Sequence, residues 1–290
     1  MITSTSNDAD SVNSQSANQQ LELLESRETY EDSNEGFQFA GTLIVYQLNG
    51  FLYHAMLRGR HSSSSILNAE DLMNVKQIPA SAYIPKFSVG FTAAPEMLPN
   101  SCYLKKPRLI SYDLISKGPR PNSIAEDVLE EAGVYELLMM HPHPNIATYL
   151  GCQVSDGAIT GLCLEKYPRT LMKEVNPGAL MKRALRNTRQ TGEDYSRVLT
   201  DIESGIRHLH SLGLVHNDIN PSNVMIDGDR AIIIDLGSCR KIGESLKNVG
   251  RTYEWYDGEV QQSLPENDLK ALEEIRIWLG VGSSEFQFGV

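Results

Sequence analysis

His216-Asn-Asp218-Ile-Asn-Pro-Ser-Asn223-Val-Met-Ile226 is the stretch on which the reading of this chain turns. Before it runs an apolar stripe, Tyr195, Val198, Leu199, Ile202, Ile206 and Leu209. That spacing predicts a helix that starts near Thr191, is capped by Thr191-Gly-Glu-Asp194 and ends at Gly213. After it come two apolar runs, Val224–Ile226 and Ala231–Ile234, that read as strands about a turn at Asp227-Gly228-Asp229. A loop held at both ends keeps its side chains in place. Within such a loop Asp218 can take a proton from an attacking hydroxyl, and Asn223 can offer an amide oxygen to a metal. Asp235 follows, closing the run Ile232-Ile-Ile-Asp235-Leu-Gly237. An apolar strand that ends in a carboxylate presents that acid at a cleft, where a hard oxygen ligand suits Mg²⁺.

Upstream, Ser123-Ile-Ala-Glu126 has the form of a capping box, and Ile124, Val128, Tyr135 and Met139 share one helical face. Pro142 and Pro144 stop that helix. Ala147–Val154 and Ile159–Glu165 read as strands joined by Asp156-Gly157. Residues 78–110 hold short apolar runs broken by five prolines, the last run being Cys102 to Lys105. Gly41–Tyr46 and Phe51–Leu57 read as a hairpin about Asn49-Gly50. Beyond the central loop, a last helix covers about Asn267 to Leu279. A β-rich half with one helix thus precedes a half led by helices, which predicts two lobes and a ligand cleft between them.

With 290 residues and 41% apolar content, the chain can bury a sizeable core. It has no apolar run long enough to span a bilayer, and Met1 to Gln20 is too polar for a secretory signal. The four cysteines are scattered, which fits a reduced intracellular compartment, cytoplasmic or nuclear, and gives no zinc spacing. Net charge is -11, of which residues 1–36 carry -7, with eight acids and one base. That balance argues against nucleic acid as a partner, and nothing points to a membrane. Residues 1–36 read as a disordered acidic leader, in which Leu21, Leu23 and Leu24 are the only seed of a short helix.

The loop and Asp235 together resemble the catalytic loop of eukaryotic protein kinases, H-R-D-x-x-x-x-N, and their metal-binding D-F-G. Surrounding phrases extend the resemblance. Leu209-His-Ser-Leu-Gly-Leu-Val-His216 is similar to the lead-in to that loop, and His141-Pro-His-Pro-Asn-Ile146 to the turn after the kinase C-helix. Cys102-Tyr-Leu-Lys105 resembles V-A-I-K, and Leu162-Cys-Leu-Glu165-Lys-Tyr167 the adenine-contacting linker. Residues 95–280 as a whole resemble the small kinase-like proteins of filamentous fungi. The resemblance implies an α+β, bilobal protein-kinase-like fold with a β-rich N-lobe and a helical, shortened C-lobe. Its domain map is a leader over 1–36, a β-rich extension and start of the N-lobe over 37–94, the N-lobe over 95–165 and the C-lobe over 166–290.

It also implies roles. Lys105, paired with Glu131, would hold the α- and β-phosphates of ATP. Asn223 and Asp235 would hold Mg²⁺, and Asp218 would serve the acceptor hydroxyl. Leu164 would be the gatekeeper, with Glu165 to Tyr167 as the hinge. His216 reads as a buried histidine that braces the loop, and Asp268 as the anchoring acid of the following helix. The expected activity is transfer of the γ-phosphate of Mg-ATP to a protein Ser or Thr hydroxyl. A pseudokinase and a small-molecule phosphotransferase are the alternatives.

Four departures qualify the pattern. No G-x-G-x-x-G lies between Ile78 and Lys105, where Gly90 alone is present. Asn217 replaces the Arg of H-R-D, so a phosphorylated loop finds no cation there. Asn220 replaces the Lys that offsets γ-phosphate charge in Ser/Thr kinases, which leaves it as a neutral catalytic candidate. Little sequence follows Leu279, where the kinase pattern continues with substrate-docking helices.

Overall fold

The computed structural model describes residues 21–33, 36–61, 67–188, 194–281 and 285–288. They divide into two compact units. The first consists of residues 21–79 together with Arg108–Lys117. Its strands, β1 (Glu22–Ser33), β2 (Gly36–Leu48), β3 (Phe51–Leu57) and β4 (Leu72–Ile78), form an antiparallel sheet in chain order. Asn49 and Gly50 both adopt positive φ, 52° and 82°, the geometry of the tight hairpin turn that Asn-Gly favours. Ile44, Tyr46, Ala55 and Leu57 form its core. The short helix α1 (Tyr112–Ile115) belongs to the same unit.

Strand β1 corrects the disordered-leader reading for residues 22–33. Leu21 and Leu23 pack on the Ile44–Tyr46 core, and the strand pairs with β2 from Glu22↔Gln47 to Ser33↔Gly36. The acids of this stretch are exposed except Glu25. Its carboxylate instead accepts the amides of Leu109 and Ile110 at 2.7 and 3.1 Å. Composition alone registers the charge, whereas the backbone ladder and this carboxylate supply the order. Residues 1–20 of the leader lie outside the described residues.

The second unit holds Ala80–Pro107 and the described residues from Gly118 onward. The boundary at Pro79 differs from the expected one near residue 94, because β1–β4 pair only with one another. Here β5 (Cys102–Lys105), β6 (Tyr149–Ser155) and β7 (Ala158–Glu165) form a sheet in the order β5-β7-β6. Helix α2 (Ser123–Met140) buries Ala132, Tyr135 and Leu138 in a cluster with Leu162 and Leu164. Ser123 is its first helical residue and forms no capping box, since Glu126 is taken by the Arg120 guanidinium at 2.6 Å.

The helical half follows in chain order. It comprises β8 (Arg169–Thr170), α3 (Leu171–Val175), α4 (Lys182–Thr188), α5 (Ser196–Ser211) and β9 (Leu214–Val215). It continues with β10 (Val224–Asp227), β11 (Arg230–Ile233), β12 (Arg240–Lys241) and α6 (Pro265–Trp278). The predicted cap at Thr191 lies outside the described residues, while Asp194 accepts the amide of Ser196 at 2.9 Å at the observed start of α5. Ile202 and Ile206 of α5 pack with Ile275 and Trp278 of α6 in one core. No described helix is long and apolar enough to cross a membrane.

The segment before β5 explains the missing glycine-rich loop. Residues 85–94 run along the β6 edge. Pro85 and Thr92 accept amides from Ile159 and Cys152, and Phe87 and Ala94 donate to Gly157 and Cys152. The Thr92 amide and hydroxyl both bind Glu136 of α2, at 2.7 and 2.8 Å. The approach is close enough that Gly151 is required, at φ 119°, because a Cβ there would lie 2.6 Å from the Ala94 nitrogen. Gly90 therefore sits on a segment bound at the sheet edge opposite β5.

Removing residues 1–33 takes away β1 and the Glu25 acceptor, whereas a chain that starts at Leu21 keeps both. The longer deletion is expected to cost about 3 kcal/mol more, from the two charge-assisted hydrogen bonds alone, as read by denaturant unfolding of the two truncations. Equal midpoints would show that β1 contributes nothing to stability.

Candidate active site

Strand pairing sets one wall of the site. Lys105 lies opposite Leu162, and Tyr103 opposite Leu164. Directly paired residues share a face, and alternate residues of a strand return to it, so Lys105 and Leu164 face the same side of the sheet. Leu164 is buried. Glu165 is exposed, and its amide donates to Thr148 at 2.9 Å. The Tyr167 hydroxyl accepts the Thr148 amide at 3.1 Å and donates to Glu165 at 3.2 Å. The tyrosine side chain thus braces the linker and leaves its backbone as the part able to meet a ligand.

Residues far apart in sequence meet at Lys105. Its ammonium donates to both oxygens of Glu131 at 2.7 and 2.8 Å and to Asp235 at 2.7 Å. Glu131 is presented by the buried face of α2 and also accepts the amide of Leu236 at 3.2 Å, which ties the helix to the residue after Asp235. Asp235 follows β11 in the left-handed region, at φ 62°, a conformation that turns the chain sharply and leaves the carboxylate half-buried. Burial lowers the Lys105 pKa, but Glu131 and Asp235 outweigh it and hold the amine above its ordinary value. At Asp235 burial pushes the carboxyl up, and Lys105 more than reverses this, so the group lies below the usual carboxylate range.

The loop carries the other half. Asn223 donates its amide to the Asp218 backbone carbonyl and to Asp218 Oδ2, both at 2.9 Å. Thr252 donates its backbone amide to Asp218 Oδ1 at 2.7 Å and its hydroxyl to Oδ2 at 3.1 Å. Burial nevertheless raises the Asp218 carboxyl above its ordinary value, against the pull of those donors. Asp218 and Asp235 are thus driven apart, one toward proton acceptance and the other toward permanent ionisation. His216 is fully buried. Its Nδ1 accepts the Asp218 amide at 3.2 Å, so Nε2 carries the proton and donates to the Ile234 carbonyl at 3.1 Å.

Asn217 and Asn220, at the two altered positions, are both spent within the protein. Asn220 donates to the Asp218 carbonyl and to the Thr252 hydroxyl, and accepts the Ser222 amide. Asn217 sits at φ 63°, donates to Val215, Ser238 and Ser263, and accepts from Asn267. Asp268 of α6 underlies all of this. Fully buried, it accepts the amides of His216 and Asn217 at 2.9 and 2.8 Å and the His210 ring at 2.9 Å.

Asp235 and Asn223 are oxygen donors of the kind that suits a hard divalent cation. Asp235 supplies a carboxylate held ionised. Asn223 turns its NH₂ toward Asp218, which leaves its amide oxygen as the acceptor end. Thr252 joins this cluster from outside the catalytic-loop and D-x-G motifs.

A family model described as the protein kinase domain matches residues 106–275, opening one residue after Lys105. Sperm motility kinase 2B of Mus musculus is 34% identical over 151 residues, which are 50% of this chain and 28% of that protein. The serine/threonine-protein kinase/endoribonuclease IRE1 of Hypocrea jecorina is 32% identical over 38% of this chain and 9% of its own length. The MAP kinase kinase kinase SSK2 of Saccharomyces cerevisiae is 28% identical over 50% and 9%. The chain therefore spans less than a third of the length of each of these relatives.

Asp268→Ala would leave two buried amides and the His210 ring without an acceptor. The expected loss is at least about 3 kcal/mol, measured by denaturant unfolding. A loss within the range of an ordinary surface substitution would show that Asp268 does not hold the loop.

Proposed function

This chain belongs to the protein kinase domain family, and we propose that it is a working kinase that transfers the γ-phosphoryl group of ATP to a Ser or Thr hydroxyl of a protein. One observation carries the reading, the bond network of Lys105 with Glu131 and Asp235, drawn from positions up to 130 residues apart. A module kept only for binding has no need of this set together with Asp218. The relatives' names, serine/threonine kinases among them, support the choice of hydroxyl.

In this reading Lys105, kept charged and aimed by Glu131, holds the α- and β-phosphates. Asn223 and Asp235 would hold Mg²⁺, which when bound offsets the phosphate charge. Asp218 orients the acceptor hydroxyl and takes its proton, and Asn220 positions Asp218 and Thr252 without adding charge. Leu164 closes the back of the adenine position, with the backbone of Glu165 to Tyr167 along its edge. The likeness of residues 95–280 to small fungal kinase-like proteins belongs to this proposal, as does an intracellular site of action, which four free thiols support.

Regulation follows from Asn217. Its amide is committed to Val215, Ser238, Ser263 and Asn267 and brings no cation to a phosphorylated loop. Glu substitution at Ser238, Ser245, Thr252 or Tyr253 should therefore not raise turnover. A tenfold rise at any of them, about 1.4 kcal/mol of barrier, would reveal a phosphate switch.

Labelled ATP with magnesium and a generic protein substrate tests the activity directly. Mg-ATP at millimolar concentration should raise the melting temperature. Asp218→Asn should abolish transfer and keep that thermal shift, since Asp218 serves the acceptor and not the nucleotide. The sign of the pH dependence is also set. Protonated Asp218 cannot take the hydroxyl proton and its carboxyl is raised, so kcat/KM should fall on acidification with a limb above the ordinary aspartate value of 3.8. No thermal shift and no transfer would remove the reading, and a limb at or below the ordinary value would remove Asp218 as the base.

A further inference from the structure

Thr252 meets Asp218 because the turn that carries it is held from the far side. Trp255 donates its amide to the Thr252 carbonyl at 3.1 Å, closing a β-turn over Thr252–Trp255. Glu254, the third residue of that turn, has φ 70°. A positive φ there is the position that glycine ordinarily fills, and a side chain is strained in it. Nothing about Glu254 itself favours this conformation, so its surroundings must impose it.

The imposing group is Lys182, at the start of α4. Its ammonium donates to the Glu254 carbonyl at 2.5 Å and forms an ion pair with Glu274 of α6. Both partners are sealed from solvent, with side-chain exposures of 3% and 0%. The ammonium also lies 4.6 Å from the Trp255 ring centroid and 4.5 Å from that of Phe286. Glu274 is completed by the amide of Gln287 at 2.6 Å. A buried ion pair is weak evidence for stability, since an apolar pair of similar size often serves as well. This one does what an apolar pair cannot, because it places a hydrogen-bond donor on the one carbonyl that fixes the strained turn.

We propose that the Lys182–Glu274 pair is a clamp that holds the Thr252–Trp255 turn and so sets Thr252 on Asp218, which makes Lys182 a positioning residue for phosphoryl transfer. The catalytic part of this statement rests on the kinase reading above, and the structural part does not. The contacts of Lys182 are with Glu254, Glu274, Trp255 and Phe286, none of them a residue assigned a role in transfer. It acts through the Glu254 carbonyl, the turn, and the two hydrogen bonds from Thr252 to the carboxylate. Glycine at position 254 would hold the same φ without strain, so it should make the clamp dispensable.

The experiment compares wild type, the double variant Lys182→Met/Glu274→Gln, and the triple variant that adds Glu254→Gly. Glutamine keeps an acceptor for the Gln287 amide, and methionine keeps the stem of Lys182. Amide hydrogen exchange over residues 250–256 should quicken by about tenfold or more in the double variant and return toward wild type in the triple. Turnover should fall by about tenfold in the double variant with KM for ATP unchanged, and recover in the triple. A folded double variant with wild-type exchange overturns the clamp, and so does a loss that Glu254→Gly fails to restore. Should the double variant not fold, the triple decides. A folded triple with residues 250–256 protected supports the clamp, and an unfolded one shows that the pair is a general prop. If wild type itself transfers no phosphate, the kinase reading falls while the exchange measurement still judges the clamp.

Discussion

One buried carboxylate, Asp268, is the constraint on which the site depends. It sits on α6 and accepts two consecutive loop amides, His216 and Asn217, together with the ring of His210 on α5. Consecutive amides point to one acceptor only if the chain bends sharply, and Asn217 at φ 63° provides the bend. The arrangement converts the rigidity of two packed helices into a fixed position for Asp218. A buried acceptor that satisfies two backbone amides leaves both unpaired when it is lost, which makes its loss costly.

Around that anchor the unusual residues are used for architecture. Asn217 is a neutral hub that joins the loop to Ser238, just beyond Asp235, and to Ser263 and Asn267, just before and within α6. Asn220 links the Asp218 backbone to the Thr252 hydroxyl. Both residues are buried, and their amides are spent within the protein. At both positions hydrogen bonds stand in place of a charge, and Lys105 is the cation paired with Glu131 and Asp235.

Much of this was legible in the sequence because the chemistry is local. The interval from Asp218 to Asn223 lets one amide reach both the backbone and the carboxylate of Asp218. The apolar stripe ending at Leu209 placed α5, and Asn49-Gly50 placed the first hairpin. Other parts were not legible. Glu22–Ser33 reads as charged and disordered because its order comes from a partner strand and from amides of residues 109 and 110. Ser123-Ile-Ala-Glu126 reads as a capping box, yet Arg120 takes the glutamate. Lys182 carries no local signal, because nothing nearby in sequence announces Glu274 or the Glu254 carbonyl.

The sequence by itself determined which groups are present, their order along the chain, and the loop in which Asp218 and Asn223 stand five residues apart. These follow from covalent spacing and side-chain chemistry, which do not change on folding. Only the tertiary structure decided that Thr252 would sit on Asp218, that a segment of 85–94 would lie along β6, and that Lys182 would be sealed beside Glu274. Those outcomes depend on burial and on partners tens of residues away. A side chain's energy in such a place is set by what surrounds it, and no local pattern in the sequence records that.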